Sequence, residues 1–108
     1  MIEIQEIESP KNGLITRHIF STYNPVNDFN IKHSLLYLTE DLFQCYFPQE
    51  DIKIDLGWYG KPQDNEGEFR IYIIQSENWE FPVEIVYSKD VVEIKTLLEN
   101  VLTYFAYK

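Results

Sequence analysis

The chain has 108 residues, enough for one hydrophobic core and too few for two. Its 44% hydrophobic and 16% aromatic content is that of a folded globular protein and excludes a disordered chain. With 18 acids against 9 bases the net charge is -9, which disfavours nucleic acid and anionic lipid as partners and favours a basic one.

The N-terminus, MIEIQEIESP, carries acids where a secretory leader needs basic residues followed by an apolar run. No apolar stretch approaches the roughly 18 residues needed to span a bilayer. Cys45 is the single cysteine and cannot form an intramolecular disulfide, which fits a reducing compartment. The expectation is a complete, single-domain cytoplasmic protein over residues 1–108, with no membrane association.

Residues 2–8 and 14–20 flank SPKNG, whose Asn12-Gly13 tolerates positive φ, so a β-hairpin is expected there. Ile7 breaks the parity of Ile2 and Ile4, which implies a bulge or a short first strand. STYNPVNDFN follows as a polar connector with Asn24, Asn27 and Asp28 as candidate helix caps. Ile31, Leu35, Leu38, Leu42 and Cys45 then step at helical spacing, predicting a helix that runs to about Phe47, before Pro48.

Three alternating runs occupy residues 51–87. Ile52, Ile54, Leu56 and Trp58 share one parity; so do Phe69, Ile71 and Ile73, and then Phe81, Val83, Ile85 and Tyr87. Period-two alternation predicts a half-buried antiparallel meander with these sets facing the core. A last helix opens at Ser88 or Asp90, with Glu93 as the acidic partner of a capping box. Ile94, Leu97, Leu98, Val101, Leu102 and Phe105 form its apolar stripe. The fold expected is α+β: a single antiparallel sheet, made of an N-terminal hairpin plus a three-stranded meander, with two helices packed on one face.

No catalytic set accompanies this frame. His18 and His33 lie in a predicted strand and a predicted helix, away from Cys45 in sequence, and read as structural or surface histidines. Two histidines and a cysteine do not make a zinc site. Asp64, Glu66 and Glu68 alternate, but Gly67 is misplaced for a calcium loop and the closing glutamate is missing. The expectation is no catalytic residue, no metal, no cofactor and no enzymatic activity.

The charge is uneven. Residues 50–84 hold 9 acids and 3 bases, whereas residues 85–108 hold 3 of each. Acids interleaved with Trp and Tyr have the makings of a protein interface, the rings giving area and the carboxylates steering encounter. The candidate partner-binding residues are Asp55, Tyr59, Asp64, Glu66, Glu68, Tyr72, Glu77, Trp79 and Glu80. Trp79, in the polar loop QSENWE, must either fold back onto the core or anchor a partner; Trp58 has the parity of the buried set.

Asp55-Leu56-Gly57-Trp58-Tyr59, then Gly67-Glu68-Phe69, then Trp79-Glu80-Phe81-Pro82 leading into the final helix, resemble the small acidic immunity proteins of bacterial contact-dependent growth inhibition and related polymorphic toxin systems. The resemblance covers the C-terminal half. It implies a cytosolic, non-enzymatic protein that binds a cognate toxin domain, often a basic nuclease. Three alternatives stand beside it. One is a ligand-binding or enzymatic α+β domain, with a pocket between sheet and helices using Tyr72, Arg70 or His18. The second is a subunit that self-associates through its sheet face or edge, and the third is a DNA mimic. The oligomeric state is open.

Overall fold

Five strands lie in sequence order in one antiparallel sheet: β1 (Leu14–His18), β2 (Phe43–Phe47), β3 (Ile52–Tyr59), β4 (Glu68–Gln75) and β5 (Glu84–Ser88). Helix α1 (Ile31–Tyr37) falls in the long β1–β2 connection, and α2 (Val91–Ala106) follows β5. The structure, a computed structural model, describes residues 1–107. The α+β class with a single antiparallel sheet and two helices is as the sequence implies.

The middle of the N-terminal half departs from expectation. The predicted helix to Phe47 stops at Tyr37, and residues 43–47 form β2 instead. FQCYF alternates Phe43, Cys45 and Phe47 inward with Gln44 and Tyr46 outward, and aromatic residues favour a pleated surface. That two-residue period outcompetes the helical spacing. Ile31 and Leu35, which were to line the buried stripe, are exposed, as is Leu36. The cap of α1 is Asn30, whose side chain accepts from the His33 amide; Asn24 instead bonds Asp90 and the Val91 amide at the head of α2.

The Asn12-Gly13 turn forms, with Asn12 at φ 66° and the Gly13 amide bonded to the Pro10 carbonyl. Its arms pair only at their far ends, through the Ile4–Ser21 bridge and the Gln5–Phe20 and Thr22–Glu3 backbone bonds. β1 pairs with β2 rather than with residues 6–9.

One sheet face carries the core. Phe43, Cys45, Phe47, Ile52, Ile54, Leu56, Trp58, Phe69, Ile71 and Ile73 are buried there under Val91, Ile94, Leu98, Leu102 and Phe105 of α2. Each fully buried aliphatic or aromatic side chain contributes on the order of 1.5–3 kcal/mol. Asp90 caps α2 as expected, accepting from the Val92 amide at 3.1 Å. The segment leading into α1 feeds the same core through Phe20, Tyr23 and Leu38, and α1 sits against the 3-10 turn Pro62–Asp64 between β3 and β4.

The third apolar run is turned over. Val86 and Ser88 face the core side, opposite Ile71 and Phe69, so Ile85 and Tyr87 point to the other face with Tyr72 and Arg70. Phe81, Val83, Ile85 and Tyr87, expected inside, are all exposed. Their shared parity was legible; which face it marks depended on the β4–β5 register.

Candidate functional site

The face opposite α2 is built from residues that oppose one another across the strands. Gln44, Asp55, Tyr72 and Ile85 form one row, and Gly57, Arg70 and Tyr87 the next. Tyr59 and Glu68 close one end, and Lys53 with Ile74 lie toward the other.

These side chains are locked together. The Gln44 Nε2 donates to Asp55 Oδ2 at 2.6 Å. Arg70 donates from Nε to Glu68 Oε2 at 3.0 Å and from Nη1 to the Tyr72 hydroxyl at 3.1 Å, while its guanidinium stands 5.3 Å from the Tyr59 ring centre. Tyr59 and Tyr72 meet edge to face at 5.3 Å. Burial raises the Asp55 carboxyl above the usual carboxylate range, the Gln44 bond opposing it. Burial, followed by the charge of Asp55, pushes the Tyr59 hydroxyl up to about 12.

Of the nine residues expected to meet a partner, Asp55 is only 4% exposed. It accepts from Gln44 and is not presented to solvent. Tyr59, Glu68 and Tyr72 are half-buried on the face itself. Asp64 and Glu66 are exposed on the β3–β4 connection, and Glu77, Trp79 and Glu80 on the β4–β5 connection. The two loops stand at opposite ends of eight-residue strands, roughly 23 Å apart. The expected residues are therefore two acidic rims flanking an aromatic centre, not one cluster.

Trp58 is buried, as its parity implied, and packs edge to face on Phe69 at 5.0 Å. Trp79 is 46% exposed, with the Lys53 ammonium 5.8 Å from its ring centre and Glu77 3.6 Å from that ammonium. Lys53 and Arg70, the cations of the face, thus stand beside acids that belong to it. No family model, curated protein or solved structure matches the chain.

Sequence reasoning missed Gln44, hidden by the helical assignment of its segment, and missed Ile85 and Tyr87 as surface residues. It also placed a possible pocket between sheet and helices around Tyr72, Arg70 or His18. Tyr72 and Arg70 lie on the opposite face, and His18 bonds its Nε2 to the Gln5 carbonyl at 2.6 Å. An open groove of about 650 Å³ does run between α2 and the far end of the sheet, lined by Ile52, Ile73, Val83, Tyr104, Glu50 and Glu84 among others. No described helix is long and apolar enough to cross a membrane, and no group of three or more His, Cys, Asp or Glu among the described residues could hold a metal ion.

Proposed function

We propose that this protein is an immunity-type binding module that neutralises a basic toxin domain, such as a nuclease, by docking it on the open sheet face. The observation that carries the reading is the rigid array of Tyr59, Tyr72, Glu68 and Arg70 set between two acidic loops. Rings fixed by neighbours lose little entropy on binding, and carboxylates at the rim steer a cationic surface into register. The fit is to a protein partner rather than to a metabolite, because the array is a surface.

The test is a titration against a candidate basic toxin domain, a neighbouring gene's product being the first to try, at several salt concentrations. Replacing Asp64, Glu66 and Glu68 by their amides together with Trp79→Ala should weaken binding by about 10- to 100-fold and flatten the salt dependence. Co-expression with the variant should then fail to rescue cells that the intact protein protects. Unchanged affinity and salt slope would place the interface elsewhere.

A further inference from the structure

β5 gives α2 little to pack on. Its core-side residues are Glu84, Val86 and Ser88, opposite Ile73, Ile71 and Phe69, so a carboxylate, one modest apolar side chain and a hydroxyl cover that margin of the sheet. β5 also begins only at Glu84, while β4 runs on past Ile73 to Gln75. The gap this leaves is the open groove of about 650 Å³ beside the C-terminal half of α2, a volume in the range of small-ligand pockets. The core shows through its floor. Ile52, Ile73 and Phe105 line the groove and keep 4%, 5% and 6% exposure, whereas Ile54, Ile71 and Leu98 keep none. Val101 and Tyr104 line it from α2 and Val83 from the head of β5. Two carboxylates stand among these apolar groups: Glu84 on β5, and the half-buried Glu50 on the β2–β3 turn, with β4 between them in the sheet. Neither is in a described ion pair or side-chain hydrogen bond, and no lysine or arginine is among the described residues lining the groove.

We infer that this groove is a binding site for a small apolar amine, a hydrocarbon chain carrying a primary ammonium group. The floor of Ile52, Ile73 and Phe105 takes the chain out of water. The ammonium, a compact cation with three donors, supplies the charge-assisted hydrogen bonds that Glu50 and Glu84 do not find within the protein. Charge decides between ligands of one shape. A neutral chain would cover the floor and strip water from the carboxylates without giving them a partner, and an anionic chain would be repelled by both. The inference does not rest on the toxin-binding reading. The groove lies on the α2 side of the sheet, and amine binding succeeds or fails there whatever the open face docks.

Octylamine titrated into the full chain at neutral pH, followed by amide NMR spectra, tests it. The amides of Val83, Glu84, Asn100 and Val101 should shift together and saturate. Octanol, the same chain without the charge, should bind at least about 10-fold more weakly, and octanoate should not bind. Glu50→Gln with Glu84→Gln should weaken octylamine by about 10-fold or more. Asp64→Asn with Glu66→Gln, the same charge change on the exposed β3–β4 connection, should leave its affinity within about two-fold. Val83→Lys, which sets a cation in the groove from a position 58% exposed, should abolish binding with an unchanged circular dichroism spectrum. Octanol binding as tightly as octylamine overturns the inference. So does an equal loss from the two double variants, which would reduce the effect to net charge, or a set of shifts that lies outside the groove. Groove amides that shift on dilution of the protein alone, and not with amine, would put a second copy there and overturn it as well.

Discussion

The side-chain amide of Gln44 on β2 holds the buried carboxylate of Asp55 on β3 at 2.6 Å, and Asp55 has no ion-pairing cation among the described salt bridges. Asp55 is therefore an acid held in a place that disfavours its charge. Its carboxyl is raised above the ordinary value, so the folded state holds this proton more tightly than the unfolded chain does. Asp55 accordingly favours folding while protonated, and that contribution is lost as pH rises from the unfolded value through the raised one.

Asp55→Asn keeps an acceptor for Gln44 and removes the charge. It should raise stability at neutral pH by about 1 kcal/mol and leave it little changed in acid, where the native carboxyl is already neutral. Asp55→Ala should destabilise at both, because Gln44 then loses its partner. Urea melts of the three proteins at acid and neutral pH decide this; equal effects of Asp55→Asn at both pH values would contradict it.

Gly57 opposes Arg70 on the open face, where the backbone of the 39–41 segment crosses close above it. A Cβ there would run into the Glu40 carbonyl, and the Trp58 amide of the same strand is bonded to the Thr39 carbonyl at 2.7 Å. Backbone cannot swing aside as a side-chain tip can. Gly57→Ala should therefore cost about 2–3 kcal/mol, read as a lower urea midpoint at unchanged slope. A change under about 0.5 kcal/mol would mean that the crossing segment yields freely.

Much of this architecture was legible because periodicity reports burial. β3, β4 and α2 each offered one unbroken apolar set, and each buries it. Two elements were misread because one pattern admitted two answers. Leu38, Leu42 and Cys45 fit a helical spacing while Phe43, Cys45 and Phe47 fit a strand; tertiary pairing with β3 decided for the strand. In β5 the larger apolar set faces outward, a choice no local rule dictates, since one step in register exchanges the faces. The acidic and aromatic composition of the site could be read directly. Its division into two rims about an aromatic centre could not, because that depends on which loops the strands carry to which end.

Cys45 lies fully buried on β2, and burial pushes its thiol up to about 11. A neutral, inaccessible thiol reacts slowly, so the native protein should resist thiol reagents at neutral pH and react fully once unfolded. Ellman's reagent with and without denaturant measures this. Cys45→Ser would place a hydroxyl in the apolar layer and should destabilise by about 1–3 kcal/mol, whereas Cys45→Ala should lose less. Rapid labelling of the folded protein would show that β2 opens on its own.

Tyr59 supplies a probe of the open face itself. Its hydroxyl, pushed up to about 12 by burial and by Asp55, should ionise well after an ordinary tyrosine in an ultraviolet titration. Like Asp55, it contributes stability while protonated, here below the unfolded value of about 10, and loses it as pH climbs toward 12. Asp55→Asn removes the second-largest cause of the shift and should bring this titration to lower pH, although the burial contribution remains. Tyr59→Phe should delete the late step while keeping the ring against Tyr72 and Arg70. If the late-ionising group survives Tyr59→Phe, the ring at this position is not the one held by the cluster, and the preorganised array that the proposed docking requires is not formed.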